Sequence, residues 1–266
     1  MNESVNRAFM YGESVFTTMR LVDGKVRHWE HHFDRLKKSA EFVYGPFKEG
    51  DNWQDILRDR LETRLNTEDG DKVIRLTLYR EQIRGLHHHG IISIMDLRLH
   101  VDISSFDPMR FEGKTFRLRS VPPISRPAWW PSFLKAGNYL ETILSQKKHL
   151  GPDDDDILFV SHDETILESS VANIFIYRKG KLSTPPAGRS VLEGVMRKKV
   201  LESGGTVFGE VSECDTNLKE ILKAEGVFGT NSVRGLFLIS RIDDHDISMT
   251  EDFSEKFEAL KRVLDL

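Results

Sequence analysis

Residues 128–144 read AWWPSFLKAGNYLETIL, a run in which a single lysine, Lys135, is enclosed by Trp129, Trp130, Phe133 and Leu134 on one side and by Tyr139, Leu140, Ile143 and Leu144 on the other. An amine among apolar side chains is disfavoured as an ammonium and tends toward the free nucleophile that forms imines. Residues 138–149 have helical spacing, with Leu140, Ile143, Leu144 and Lys147 predicted to face inward, the lysine by its stem, and Gly151-Pro152 ends the pattern. The prolines of the preceding PPISRPAWWP resist both a continuous helix and a central strand. Lys135 is therefore expected in a positioned bend just ahead of a helix.

Upstream, Val15 to Met19 reads as a strand, and Asp23-Gly24 as a turn leading to Val26. From His28 the apolar positions Trp29, Phe33, Leu36, Ala40 and Val43 recur at helical spacing, which puts Arg35 beside the packed stripe and able to point into a cleft. A second helix is predicted over residues 53–65, and VIRLTLY, with Ile74, Leu76 and Leu78 on one face, restores strand periodicity. These elements make a small α+β unit through residue 105, followed by an interdomain stretch with a first strand, TFRLRSV, over 106–127 and a larger domain over 128–266.

In that larger domain, Asp153 to Asp156 reads as a solvated turn before the strand ILFV, because it lacks the spacing of a calcium loop. NIFIY is a further strand. Ser190 and Glu193 have capping-box spacing ahead of Val195 and Met196, so a helix is expected to begin near residue 190. Asp215 or Thr216 is the expected cap of another helix, stopped at Gly226.

The chain has 266 residues and a formal charge of −4 with mixed signs along its length, which argues against nucleic acid as a partner. One cysteine, Cys214, excludes an intrachain disulfide and a thiolate metal cage. Neither a signal-like start nor an 18-residue apolar window is present, so a soluble cytoplasmic protein without membrane or metal is expected.

A lysine that forms imines needs company. A pyridoxal phosphate site requires a carboxylate that keeps the ring nitrogen protonated, an anion cradle and the lysine itself. Glu168, in LESS ahead of NIFIY, suits the first role, since a carboxylate near a core needs a cationic partner. SVLEGVM and GTNSV can each aim backbone N–H groups at an anion, Thr230 and Ser232 add hydroxyls, and Arg35 offers full charge with forked donors.

Taken in order, YGESVFTTMR, HHFDRL, LYREQIRG, KAGNYL, LESSVANIF, STPP, LEGVMRKKV and TNSVRG resemble the fold-type IV family of pyridoxal-phosphate enzymes, which holds branched-chain and D-amino-acid aminotransferases and 4-amino-4-deoxychorismate lyase. The resemblance implies a D-amino-acid aminotransferase-like fold, α/β in class, with a small N-terminal α/β domain and a larger C-terminal pseudobarrel domain. It also implies a homodimer with active sites near the interface. Lys135 is similar to the Schiff-base lysine and general acid/base, Glu168 to the partner of the pyridine nitrogen, and Arg35 to the phosphate arginine. Val195 and Met196 are similar to the backbone anion nest, Ser232 and Val233 to the second phosphate loop, and Tyr139 to a residue lining the cofactor. Arg84 is similar to an arginine directed at substrate carboxylate, although Glu81 and Gln82 replace the glycines common there. Ten residues precede Tyr11, where the family carries an additional strand and turn.

Within the family, the Phe16-Thr17-Thr18 sequence resembles the lyase branch. On a strand Thr18 shares a face with Phe16, from which its hydroxyl could orient a substrate oxygen or assist proton delivery. The expected activity is therefore that of 4-amino-4-deoxychorismate lyase, releasing pyruvate to form 4-aminobenzoate. The alternatives are a class IV aminotransferase of D- or branched-chain amino acids and an inactive family member used as a binding subunit. The adjacent His87, His88 and His89 read as an exposed loop rather than a metal site.

Overall fold

The computed structural model describes residues 6–50, 52–65, 70–81, 90–122, 130–188 and 191–266. The chain forms two compact units, one made of residues up to Asp107 with Phe133–Tyr139, the other of Pro108–Ser132 with Leu140–Leu266. The expected α/β architecture, a small N-terminal part and a larger C-terminal part, is what the structure has.

The N-terminal unit contains α1 (Arg7–Tyr11), β1 (Ser14–Val22), β2 (Lys25–Val26), α2 (Trp29–Tyr44), α3 (Trp53–Leu65), β3 (Lys72–Arg80) and β4 (Leu97–Ser105). Its sheet is antiparallel in the order β2-β1-β3-β4. Asp23 and Gly24 both have positive φ, the geometry of a tight hairpin turn that suits these residue types. Val15, Met19 and Leu21 on β1 and Ile74, Leu76 and Leu78 on β3 are buried, as period-2 alternation requires. Phe33, Leu36 and Ala40 of α2 are buried with them, each large side chain contributing about 1.5–3 kcal/mol.

The C-terminal unit contains β5 (Phe116–Val121), α4 (Leu140–His149), β6 (Asp156–Val160), β7 (Ile166–Ser169), β8 (Asn173–Arg178), β9 (Lys181–Thr184), α5 (Val195–Ser203), α6 (Gly205–Phe208), β10 (Val211–Glu213), α7 (Leu218–Ile221), β11 (Gly226–Asn231), β12 (Gly235–Ile242), β13 (His245–Asp246) and α8 (Glu251–Val263). Its sheet runs β10-β9-β8-β11-β12-β5-β6-β7, with β13 added to β12. Strands β6, β7, β8 and β11 are buried along almost their whole length, and the core holds Ile174, Ile176, Val227 and Ile239 on one side and Phe175, Phe228, Phe253 and Phe257 on the other. Among the described residues no helix is long and apolar enough to cross a membrane.

Four local expectations are corrected. Helix α4 turns Leu140, Ile143 and Leu144 outward, at 65, 55 and 50 % exposure, and buries Thr142 and Ser145 instead; Lys147 is exposed. The reason is polar: Gln146 Nε2 donates to Asp156 Oδ1 at 3.1 Å and to Ser170 Oγ at 3.0 Å, which fixes the helix face that meets the sheet. The acidic run is no solvated turn beyond Asp153. Asp154 pairs with Arg119 at 3.0 Å, Asp155 accepts the Arg117 N–H at 2.9 Å, and Asp156 is buried, bonded also to Ser170. Helix α5 starts at Val195 behind Gly194 without a side-chain cap, and Asn217, not Asp215 or Thr216, caps α7 in a capping box with Glu220. Ser190 lies outside the described residues.

Candidate active site

In the N-terminal unit, helix α2 carries a polar row beside its apolar one. His32, Arg35 and Ser39 recur at i, i+3 and i+7, share one face, and are all buried. Thr17, buried on β1, meets them: its Oγ1 lies 2.7 Å from His32 Nδ1 and accepts a 3.2 Å hydrogen bond from Arg35 Nη2. Ser39 Oγ is 2.8 Å from the Arg35 carbonyl oxygen and 3.0 Å from that of Phe133, and the Lys135 N–H reaches Ser39 Oγ at 3.5 Å. Arg35, expected at the edge of the stripe, is thus held inside.

The segment around Lys135 is stitched to β1. The Phe16 N–H donates to the Lys135 carbonyl at 2.9 Å, Gly137 N–H donates to the Ser14 carbonyl at 2.8 Å, and Ala136 bridges Val15. A Cβ at position 137 would lie 2.1 Å from Ser14 Oγ, so glycine permits this approach. The Lys135 Nζ donates to Tyr139 Oη at 3.1 Å and sits 4.8 Å from the centre of the Phe16 ring, which itself packs edge-to-face on Tyr139 at 5.6 Å. The residues placed beside the lysine are therefore Phe16 and Tyr139. Thr18, half-buried, lies on the Phe16 face of β1, opposite Arg75 of β3 in register. Arg75 stacks its guanidinium 3.5 Å from the Phe16 ring centre, and burial lowers its pKa.

Burial, reinforced by the charge of Arg35, depresses the pKa of His32 well below the ordinary imidazole value. The folded state consequently keeps His32 neutral where the unfolded chain protonates it, and stability falls as pH drops below about 6.5. The expected slope is up to about 1.4 kcal/mol per pH unit. Urea titrations at pH 7.5, 6.5 and 5.5 should show it in the native chain, and a His32→Asn variant should lose this increment; equal pH slopes in the two proteins would contradict the assignment.

In the C-terminal unit, Glu168 is buried on β7, 8 % exposed. Its Oε2 accepts the Leu192 N–H at 2.8 Å and Asn173 Nδ2 at 3.2 Å, and Asn173 also donates to the Leu192 carbonyl at 2.9 Å. One carboxylate oxygen is thereby tied to the loop that leads into α5. The first intrahelical bond there is Lys198 N–H to Gly194 carbonyl, which leaves the N–H groups of Val195 and Met196 without an acceptor in the helix. A helix start of this kind is favourable for an anion. In the β11–β12 turn, Asn231 Oδ1 accepts the N–H groups of Val233 at 3.0 Å and Arg234 at 2.8 Å. The Val233 N–H, expected to face an anion, is engaged by Asn231 within the turn, while Thr230, buried on β11, bonds the Gly235 carbonyl at 3.1 Å. Ser232 sits in that turn.

Arg84 and the three histidines lie outside the described residues. His32, Ser39, Arg75, Gly137 and Asn173 have no role in the reading of the sequence, and Thr17 enters it only within the Phe16-Thr17-Thr18 motif. The row on α2 was available to the same helical spacing that marks Phe33 and Leu36; the part played by Asn173 depends on which loop returns to it. Within each unit the donor sets suit pyridoxal phosphate: amine, phenol and guanidinium in one, buried carboxylate and helix start in the other.

Comparison with known proteins bears on the family and the fold. The model of the family described as amino-transferase class IV matches residues 14–242. An aminodeoxychorismate lyase of Vibrio harveyi is 23 % identical over 256 residues, covering 89 % of this chain and 86 % of its own. The branched-chain aminotransferase of Thermoproteus uzoniensis, solved with norvaline, superposes with a TM-score of 0.80 at 22 % identity, covering 97 % of this chain and 87 % of that one. The 4-amino-4-deoxychorismate lyase of Pseudomonas aeruginosa superposes with a TM-score of 0.76, also at 22 % identity, covering 98 % and 94 %. The fold is fold type IV, and with its strands, Lys135 segment and Glu168 loop inside the matched region, the chain belongs to the class IV aminotransferase family of pyridoxal-phosphate enzymes.

Proposed function

We propose that this chain is a pyridoxal-phosphate-dependent 4-amino-4-deoxychorismate lyase, working as a homodimer. The observation that carries the reading is Arg75. Its guanidinium is half-buried against Phe16, on the face that also bears Thr18, and makes no ion pair with another described residue; its register partner Asp102 acts on it only at longer range. A partly desolvated arginine of this kind favours an anion, and carboxylates match its forked donors. The lyase substrate brings two carboxylates, one of which leaves with the pyruvate. Relatives that carry the lyase name and align along most of the chain lend support.

When bound, pyridoxal phosphate supplies an electron-withdrawing ring that acidifies the hydrogen beside the attached substrate nitrogen. Lys135 is the group that takes this proton and can return it to the departing fragment, with Tyr139 Oη accepting a hydrogen bond from Nζ and so fixing where the base points. Glu168 serves to keep the ring nitrogen protonated, its orientation set by Leu192 and Asn173. Arg35, Val195, Met196 and Ser232 take the phosphate roles, and Thr18 and Arg75 orient the substrate, with Arg84 as a second carboxylate partner.

Purified protein given 4-amino-4-deoxychorismate is expected to release pyruvate and 4-aminobenzoate in equal amounts without amino transfer. Steady exchange between amino and keto acids with no aromatic product would instead make it an aminotransferase of D- or branched-chain amino acids. The outward row of Leu140, Ile143 and Leu144 supplies apolar surface for a second copy. Ile143→Arg should therefore yield monomers in sedimentation experiments at concentrations where the native chain is dimeric; an unchanged dimer would assign contact to another face.

A further inference from the structure

The buried contact between Thr17 and His32 has no part in the roles above, yet it touches Arg35. Arginine only donates, so in the 3.2 Å contact Thr17 Oγ1 must be the acceptor. The hydroxyl proton of Thr17 is then available to the one other group in reach among the described residues, His32 Nδ1 at 2.7 Å. If His32 donated to Thr17 instead, both the hydroxyl proton and the lone pair on Nε2 would be left without a partner in a buried site. Nε2 is buried without a hydrogen-bond partner in either arrangement, so Nδ1 as acceptor leaves one group of this pair unmatched where the reverse leaves two. An imidazolium is disfavoured in this position first by burial and then by the second positive charge that Arg35 brings beside it.

We propose that Thr17 and His32 are positioning residues for Arg35: a directional relay from guanidinium N–H to threonine O–H to imidazole Nδ1 fixes one edge of the guanidinium and so aims its remaining donors at the phosphate of the cofactor. The relay explains why a polar pair occupies the core between β1 and α2, where Val15, Met19 and Phe33 are otherwise packed. It also explains the choice of an uncharged partner, since a carboxylate at position 32 would neutralise the charge that an anion must meet. The proposal rests on the reading of Arg35 as the phosphate arginine.

Its test separates the two. Dissociation constants for pyridoxal phosphate and for pyridoxal, which lacks the phosphate, are to be measured on the native chain and on Arg35→Met, Thr17→Val, Thr17→Ser, His32→Phe and His32→Asn. Thr17→Val and His32→Phe should weaken pyridoxal phosphate about 10-fold while leaving pyridoxal within about twofold, the loss of one charge-assisted contact. Thr17→Ser and His32→Asn, which keep a hydroxyl or an acceptor, should restore most of it. If Arg35→Met spares the ratio of the two constants, the phosphate reading of Arg35 fails and the relay with it. If Arg35→Met collapses the ratio but Thr17→Val and His32→Phe do not, or if they weaken both ligands equally, the relay is overturned and the phosphate reading stands. Should the His32 variants not fold, the Thr17 pair decides. Nitrogen-15 spectra of the native chain give an independent reading, because a protonated Nδ1 on His32 contradicts the relay.

Discussion

Replacing Lys135 with alanine is expected to abolish turnover, lowering kcat/KM by at least about 10³-fold, because in the proposed function the variant loses both the amine that attaches to the cofactor and the proton carrier. The lysine sits on a segment whose backbone is fixed. Its carbonyl is held by the Phe16 N–H, the next residues bridge to Val15 and Ser14, and Ser39 binds the carbonyl two residues before it. Alanine at 135 leaves all of these backbone bonds in place, so the loss should appear with little change in the urea midpoint. Two readouts check it. Borohydride reduction of the native protein loaded with pyridoxal phosphate should leave the adduct on the peptide containing Lys135, and the variant should show none. Added methylamine should restore part of the activity to Lys135→Ala by supplying a mobile base. An adduct on a different lysine, or a variant with near-native turnover, would remove Lys135 from the chemistry.

The position of that lysine was legible because it depends on short-range signals. Prolines before it and a helical pattern after it define a bend, and the structure has one, with α4 starting at Leu140. Helices α2 and α3 and strand β3 follow their periodicities to within about a residue for the same reason, while β1 runs three residues beyond the expected Met19. Periodicity shows that an apolar stripe exists; what covers it is a separate matter. On α4 the stripe lies outside, because Gln146 meets Asp156 and Ser170 on the opposite face, and those partners are 10 and 24 residues away along the chain. The spacing of Ser190 and Glu193 is that of a cap and points to a start for α5 several residues ahead of the observed Val195. The observed first residue follows Gly194, whose neighbour in space is Asn173 of β8. His32 is not legible in the sequence for a different reason: a histidine inside a helical stripe has an ordinary packing role by default, and only the proximity of Thr17, fifteen residues upstream on a strand, gives it another.

Gly194→Ala tests how tightly the carboxylate is coupled to the helix that should receive the phosphate. Gly194 has φ −65° and ψ 142°, a conformation open to any residue, so alanine brings no backbone strain. Its Cβ would, however, lie 2.1 Å from Asn173 Oδ1 and 3.3 Å from Asn173 Cγ. Asn173 is 4 % exposed and bonded through Nδ2 to both Glu168 and the Leu192 carbonyl, so it cannot yield without disturbing the carboxylate. A hydrogen bond to a charged group is worth roughly 1.5–3 kcal/mol, which sets the expected weakening of pyridoxal phosphate at about 10- to 100-fold. Overpacking should add a loss of roughly 1–3 kcal/mol in folding stability. The cause can be separated from a general defect by a double-mutant cycle. Asn173→Ala removes the atom that the new methyl meets, so adding Gly194→Ala in that background should cost little further, and the two effects should be far from additive. Additive losses, or native cofactor affinity in Gly194→Ala alone, would mean that the loop shifts freely and that Glu168 is oriented by something other than Asn173.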